Sequence, residues 1–150
     1  MAKPDVIDVL IVEDNPDDAE FTLRALRKAN VGIAIALAED GVKALEFLRG
    51  TGARAAHAGA PPPRLVLLDL NLPRIGGIEV LRRMRSDPRT RLLPAVVLTA
   101  SRSERDVREA YTAGANSYIV KPDEYPTLVT VLGDTARYWL QINRAAANRA

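Results

Sequence analysis

The sequence predicts a single α/β domain of the doubly wound class, with five parallel strands in the order 2-1-3-4-5 and five helices covering both faces of the sheet. Short apolar runs rich in β-branched residues alternate five times with stretches of helical periodicity. The 150 residues are 47% hydrophobic, which is enough apolar material for one core, and the absence of cysteine excludes a disulfide scaffold. No apolar run approaches the roughly 20 residues that cross a bilayer.

The first half of the chain predicts two strand–helix units. Residues 6–12 form an apolar run rich in β-branched side chains, which is typical of a buried strand. Asn15 can cap the helix that follows, and Pro16 suits its first position. Residues 33–38 then predict the second strand, and a second helix begins at Gly41 with apolar side chains on one face.

Residues 51–63 predict a surface loop inserted after the second helix. The segment is rich in Gly, Ala and Pro and ends in three consecutive prolines. A tolerated insertion is the simpler interpretation and a binding loop is the alternative. His57, the only histidine, lies in this loop without a second ligand at metal-binding spacing, so we assign it no chemistry.

The second half predicts three more strand–helix units. The third strand leads into Asp69 and a turn that ends in Gly76-Gly77, where glycine permits a positive φ. Ser103 can cap the fourth helix, and Gly114 can end it. The predicted strands cover residues 65–68, 94–98 and 118–120. The last helix runs from about residue 125 to beyond residue 139 and is expected to turn Leu128, Val131, Leu132 and Leu140 inward.

The charge balance and the N-terminus argue against a nucleic-acid-binding protein and against a secreted one. The chain carries 21 basic and 19 acidic residues, a net charge of +2, which does not indicate a nucleic-acid-binding surface. The N-terminus lacks a long apolar stretch behind a basic start, so we expect no signal peptide and a cytoplasmic location. A cluster of arginines around residues 82–91 is interpreted as the solvated face of a helix and the loop after it. The arginines of this cluster are Arg82, Arg83, Arg85, Arg89 and Arg91.

Polar side chains gather at the carboxyl ends of the predicted strands. Glu13 and Asp14 follow the first strand, Asp69 the third, Thr99 the fourth and Lys121 the fifth. In the 2-1-3-4-5 order, the strand order reverses between strands 1 and 3, where α/β proteins bind ligands. A single Asp at a strand end often only caps a helix. Three carboxylates, a hydroxyl and an ammonium group at one edge therefore predict a functional site.

The chemistry of this set indicates metal-assisted phosphoryl transfer. Crowded carboxylates repel one another unless a cation lies among them, and an all-oxygen set suits Mg²⁺ or Mn²⁺ better than zinc. A carboxylate can attack phosphorus to form an acyl phosphate when the charge on the transferring oxygens is neutralised. Asp69 is the candidate nucleophile, and Lys121 and Thr99 would each donate to a phosphoryl oxygen.

These residues resemble the receiver domains of two-component response regulators over residues 6–140. The resemblance implies a flavodoxin-like (βα)5 fold, with Asp69 as phosphoacceptor, Thr99 as switch hydroxyl and Tyr118 as switch aromatic. It implies that the bond between Lys121 and the following proline is cis. It also implies a metal site formed by Glu13, Asp14, Asp69 and the backbone carbonyl of Asn71. Asn71 and Ser101 lie where the family tunes dephosphorylation.

The resemblance is greatest to the small stand-alone regulators that accompany bacteriophytochromes. The motifs that carry it lie in residues 12–18, 69–73 and 138–140, together with the long loop after helix 2. The predicted elements fill residues 1–150 as a single receiver domain, and we expect no output domain. The resemblance implies a sensor histidine kinase, such as a bacteriophytochrome, as phosphodonor. It further implies a homodimer through helix 4, strand 5 and helix 5 and an unknown downstream protein, with no nucleic-acid or membrane partner.

Three alternatives to this function stay open from the sequence. The chain could be an interaction module that works without phosphorylation, or a Mg²⁺-dependent phosphatase with an Asp nucleophile. Phosphatases of the haloacid-dehalogenase type have a second Asp two residues after the nucleophile, which acts as acid and base. In this sequence that position is Asn71. A flavin-binding domain on the same fold is disfavoured, because carboxylates repel the cofactor phosphate. We therefore expect no enzyme beyond catalysis of its own phosphorylation and dephosphorylation.

Overall fold

The computed structural model describes residues 6–29, 32–51 and 61–146. Its strands are β1 (Val9–Val12), β2 (Ile35–Ala38), β3 (Leu65–Leu68), β4 (Ala95–Thr99) and β5 (Ser117–Val120). Its helices are α1 (Pro16–Ala29), α2 (Gly41–Arg49), α3 (Gly77–Ser86), α4 (Glu104–Ala113) and α5 (Tyr125–Arg137). All neighbouring strands pair in parallel in the order β2-β1-β3-β4-β5, which confirms the predicted flavodoxin-like topology.

The sheet separates two apolar cores. Because successive side chains of a strand point to opposite faces, each central strand contributes to both cores. One core lies under α2, α3 and α4, and the other lies under α1 and α5. Every residue of β1, β3 and β4 is buried, whereas the edge strands β2 and β5 are partly exposed. No helix in the described part of the chain is long and apolar enough to cross a membrane.

The predicted capping residues are confirmed. The side chain of Asn15 accepts hydrogen bonds from the backbone N–H groups of Asp17 (2.9 Å) and Asp18 (3.0 Å), so it closes the first turn of α1. Gly114 ends α4 in the left-handed conformation with φ 112°. The strands predicted over residues 6–12 and 33–38 are shorter in the structure, because only their last four residues pair with a neighbouring strand.

The last helix differs in part from the prediction. The α-helix ends at Arg137, and the chain continues as a π-helical turn over Tyr138–Ile142. The guanidinium group of Arg64 donates to the carbonyl of Leu140 at 2.5 Å, which attaches this turn to the amino-terminal edge of the sheet. Of the four residues predicted to face inward, Leu128, Leu132 and Leu140 are buried and Val131 is half-buried.

The solvated interpretation of Arg85 is wrong. Its half-buried guanidinium group donates to the carbonyls of Leu93 (2.7 Å), Gly114 (2.9 Å) and Arg91 (3.0 Å) and to the side-chain oxygen of Asn116 (3.0 Å). The carbonyls belong to the loops before β4 and β5, beside the end of α3, where a long side chain reaches them. The Asn116 oxygen also accepts the backbone N–H of Ala95 at 2.8 Å. The remaining arginines of the basic cluster are exposed, as predicted.

Most of the predicted loop over residues 51–63, including His57, lies outside the described residues. The turn after β3 is described in full. Its left-handed residue is Arg74, with φ 68°, whereas Gly76 has an ordinary extended backbone with φ −69°. The positive φ expected of the glycine pair is therefore at a different residue. What this turn requires of glycine is space: a Cβ atom on Gly77 would lie 2.4 Å from the carbonyl oxygen of Asp69.

Candidate functional site

Hydrogen bonds that extend the sheet hold the predicted site residues at its carboxyl edge. The backbone N–H of Asp69 donates to Val12 (3.0 Å), and that of Lys121 donates to Thr99 (2.8 Å). The N–H of Glu13 donates to the last residue of β2 at 3.0 Å. Each site residue thus continues the strand before it, and its side chain starts from a backbone position that the parallel sheet determines.

The ammonium group of Lys121 joins three carboxylates. Its Nζ atom donates to Asp69 Oδ2 at 3.0 Å, to Asp18 Oδ2 at 3.3 Å and to Glu13 Oε1. An ammonium group has three N–H donors, so these contacts use all of them. The side chains of Glu13 and Asp69 are only 4% and 10% exposed, and that of Lys121 is 16% exposed. The three groups therefore form a buried ion cluster, to which Asp18 adds a contact from the more exposed side.

The two buried carboxyl groups differ in acidity. Burial, together with the charge of Asp69, raises the pKa of Glu13 from 4.5 to about 7, although Lys121 opposes the shift. Burial also acts to raise the pKa of Asp69, but the backbone N–H of Asn71, at 3.1 Å, and Lys121 outweigh it and lower that pKa. Bonds to both carboxylates raise the pKa of Lys121 against the effect of its burial. The lowered pKa of Asp69 thus favours its ionised form at neutral pH, whereas the raised pKa of Glu13 favours partial protonation there.

The donor set fits a hard divalent cation. Two buried carboxylates share one ammonium group, and burial together with the charge of Asp69 raises the pKa of Glu13, so a further positive charge would favour the ionised pair. Asp14 adds an exposed carboxylate next to Glu13 in the chain, and oxygen ligands suit Mg²⁺ and Mn²⁺. Within the described residues, no three acidic or histidine side chains already stand in a metal-binding arrangement.

The predicted switch residues Thr99 and Tyr118 meet at Ser101. Thr99 is fully buried, and its hydroxyl accepts the backbone N–H of Ser101 at 3.4 Å. The hydroxyl of Tyr118 donates to the carbonyl of Ser101 at 2.9 Å, and burial raises the pKa of Tyr118. The side chain of Ser101 donates to Asp106 at 2.5 Å. One residue of the loop after β4 thus connects both switch residues to the first turn of α4.

Sequence reasoning missed two members of this arrangement, Asp18 and Asp106. Both lie in the first turn of a helix that starts at the carboxyl edge of the sheet, and that position was the available signal. Acidic residues are common there because they favour the positive end of the helix dipole, which makes the signal ambiguous. The expectation of a cis bond after Lys121 is contradicted, because the described residues contain no cis peptide bond. The trans form before proline is favoured by only about 0.5–1 kcal/mol, so the surrounding contacts decide the isomer.

Comparison with known proteins assigns the family. The model of the response regulator receiver domain matches residues 9–132, a range that contains Asp69, Thr99 and Lys121. The chain belongs to the response regulator receiver family. Among curated proteins, the receiver is 39% identical over 137 residues to the probable methanogenesis regulatory protein FilR2 of Methanothrix harundinacea (strain 6Ac). The match covers 91% of this chain and 86% of that protein.

Solved structures of response regulators, two of them named for phytochromes, are similar to most of this chain. The phosphorylated cyanobacterial phytochrome response regulator RcpA has a TM-score of 0.85 at 32% identity. The match covers 95% of this chain and 99% of the RcpA chain. The bacteriophytochrome response regulator AtBRR has a TM-score of 0.75 at 37% identity, with coverage of 97% and 100%. A Mn²⁺-bound form of the response regulator Rcp1 has a TM-score of 0.81 at 31% identity, with coverage of 94% and 99%.

Proposed function

We propose that Asp69 of this receiver accepts a phosphoryl group from a sensor histidine kinase. The observation that carries the proposal is that the ionised Asp69 carboxylate lies 3.0 Å from the Lys121 ammonium group at the carboxyl edge of the sheet. The nucleophile and the charge that neutralises a transferring oxygen are thus already in contact. Thr99, at the end of the neighbouring strand β4, would supply a hydroxyl donor to a second phosphoryl oxygen.

The transfer step follows from these positions. A carboxylate oxygen of Asp69 forms a bond to phosphorus while the bond from phosphorus to the kinase histidine breaks, and the imidazole leaves with its electron pair and takes up a proton. Lys121 and Thr99 donate to the phosphoryl oxygens, whose charge grows in the transition state. Attack of water on the acyl phosphate later returns Asp69 and inorganic phosphate. The protein thus catalyses only its own phosphorylation and dephosphorylation.

A divalent metal belongs to this proposal. Receiver domains bind Mg²⁺ or Mn²⁺ at the acidic site, and one similar structure holds Mn²⁺. The residues that would hold it here are Glu13, Asp14, Asp69 and the backbone carbonyl of Asn71. When bound, the ion supplies positive charge to the carboxylates and to the phosphoryl oxygens.

The proposed signal is a change of the surface formed by α4, β5 and α5. Thr99 and Tyr118 share the link through Ser101, so movement of Thr99 toward a phosphoryl group displaces the partner of the Tyr118 hydroxyl. This surface includes the edge strand β5 and the half-exposed ring of Tyr111 on α4. We propose that it forms a homodimer, because an exposed edge strand favours pairing with a second chain. A monomer in sedimentation analysis, both with and without phosphorylation, would contradict the proposed homodimer.

The similar structures suggest the input of this receiver. RcpA and AtBRR are by name regulators of phytochromes, and this chain covers nearly their whole length. We propose that residues 1–150 form one receiver domain, that its phosphodonor is a phytochrome-type kinase and that its signal passes by contact with another protein. Transfer from an autophosphorylated phytochrome kinase should exceed transfer from an unrelated histidine kinase by at least tenfold. Equal transfer rates would contradict the proposed donor.

The central experiment measures the intact mass after incubation with acetyl phosphate and Mg²⁺. The wild-type protein should gain one phosphoryl group, and removal of magnesium should prevent the gain. Asp69→Asn should gain none, because it keeps the shape of the side chain and removes the nucleophile. Asp123→Asn, an exposed acid near Lys121, is the matched control and should be phosphorylated normally. Phosphorylation of Asp69→Asn would show that another residue is the acceptor.

Incubation with a histidine kinase and measurement of the released phosphate separate the alternatives. An interaction module that works without phosphorylation would gain no phosphoryl group from either acetyl phosphate or a histidine kinase. A phosphatase would release phosphate steadily over many turnovers, whereas a receiver consumes about one equivalent before slow hydrolysis. The family match favours the receiver. The position two residues after Asp69 is Asn71, whereas a phosphatase of the haloacid-dehalogenase type has an Asp there.

A further inference from the structure

Lys121 makes one contact that the proposed chemistry does not use. Of its three carboxylate partners, Asp69 is the proposed acceptor and Glu13 belongs to the proposed metal site. The third partner, Asp18, lies on α1 and contacts neither the acceptor nor a predicted metal ligand through any described hydrogen bond. Its Oδ2 atom is 3.3 Å from Lys121 Nζ.

We propose that Asp18 is a positioning residue that holds the Lys121 ammonium group at the site while its other partners change. This inference rests on the proposed function. During phosphoryl transfer an oxygen of Asp69 becomes bonded to phosphorus, and Glu13 would share its charge with a divalent ion held at the proposed metal site. Both contacts of Lys121 are thereby weakened in the reaction. Asp18 is the carboxylate partner of Lys121 that the reaction leaves unchanged.

The helix cap and the packing of α1 against α5 hold Asp18 in place. Its backbone N–H donates to the side chain of Asn15 at 3.0 Å, which places it in the capped first turn of α1. On the next turns of α1, Ala25 and Leu26 are buried in the core shared with α5. Lys121 lies in the loop that leads into α5, so packing of the two helices sets the distance between Asp18 and Lys121.

A long lysine side chain benefits from a constant carboxylate partner, because it can adopt many conformations. Its ammonium group is a point charge on a flexible four-carbon stem, so holding it in one place costs rotamer entropy. A carboxylate that stays in contact through the reaction reduces the number of positions that the group occupies. Because the side chain of Asp18 is 48% exposed, solvent screens the ion pair and its effect is modest. Exposed ion pairs of this kind correspond to about a two- to fivefold effect on a rate.

The test compares Asp18→Asn with Asp17→Asn. Asp17 is the preceding residue in the same first helical turn, is exposed, and has the same charge and the same backbone contact to Asn15, so its variant controls for net charge and helix stability. The assay is the rate of phosphorylation by saturating acetyl phosphate at fixed Mg²⁺, followed by intact mass. We expect Asp18→Asn to slow the reaction about two- to fivefold and Asp18→Glu to recover part of the loss, while Asp17→Asn reacts as the wild type.

A spectroscopic readout tests the contact without using the reaction. The chain has four lysines, so selective ¹³C and ¹⁵N labelling gives four side-chain signals, and Lys121→Arg assigns the one from Lys121. Asp18→Asn should shift this signal, and Asp17→Asn should not. Equal phosphorylation rates in the two asparagine variants, or an unmoved Lys121 signal in Asp18→Asn, would overturn the positioning role. A wild type that gains no phosphoryl group from acetyl phosphate or from a kinase would instead overturn the proposed function.

Discussion

Replacement of Arg85 by methionine should destabilise the receiver through the loss of a half-buried hydrogen-bonding group. Methionine retains an unbranched apolar stem of similar length, so the packing of the side chain over Gly114 is largely kept. The variant removes four N–H···O contacts that join the end of α3 to the loops before β4 and β5. The acceptors of two of them, Gly114 and Leu93, are in partly buried contacts, and these carbonyls lose their donor.

The size of the effect follows from those two carbonyls. Each hydrogen bond to a charged donor contributes about 1.5–3 kcal/mol when buried, and partial exposure reduces this to about 1–1.5 kcal/mol. The other two acceptors are exposed and regain water. We therefore expect the free energy of unfolding to fall by about 2–3 kcal/mol. For a chain of this length such a change lowers the melting temperature by about 5–10 °C.

Urea unfolding followed by circular dichroism and by the fluorescence of Trp139, the only tryptophan, measures this change. Arg83→Met is the control, because Arg83 lies on the same helix but is exposed and only pairs with Glu79 one turn earlier. Arg83→Met should lower the free energy of unfolding by less than about 0.5 kcal/mol. If Arg85→Met is no less stable than Arg83→Met, the four contacts of Arg85 do not stabilise the fold and our account of it is wrong.

Three further predictions follow from single contacts. Gly77→Ala should lower the free energy of unfolding by about 1–3 kcal/mol, because its Cβ meets backbone of the Asp69 loop; Gly76→Ala, whose Cβ has space, should change it by less than about 1 kcal/mol. Asp14→Asn should weaken magnesium binding about tenfold or more in calorimetric titration, and unchanged binding would contradict the metal site. Tyr118→Phe should cost about 0.5–1.5 kcal/mol in urea unfolding through loss of its bond to Ser101, and equal stability would show that bond to be unimportant.

Much of the fold follows from local patterns in the chain. The caps at Asn15 and Gly114 act within one helical turn, so the residues that form them are visible in sequence order. Strand β3 has the same bounds as predicted, since its apolar run is bounded by charged residues on both sides. The last helix was less predictable, because the π-helical turn over Tyr138–Ile142 depends on the distant Arg64.

The site was predictable in composition, and the tertiary structure decided its contacts. Parallel strands bring their carboxyl ends to one edge, so Glu13, Asp69 and Lys121 had to lie near one another once the strands were recognised. Which carboxylates share the ammonium group was not predictable. Lys121 is 108 residues from Glu13 and 103 from Asp18, and no spacing rule applies over such a separation.

The order of the elements and the strand-end residues Glu13, Asp69, Thr99 and Lys121 were readable from the sequence, because periodicity, capping and strand ends are local properties. The tertiary structure alone decided that Arg85 is a half-buried donor to two loops and that Asp18 reaches Lys121. The physical reason is the same in both cases. Arginine and lysine side chains extend over several ångströms, and the oxygen atoms that they contact depend on how distant segments pack.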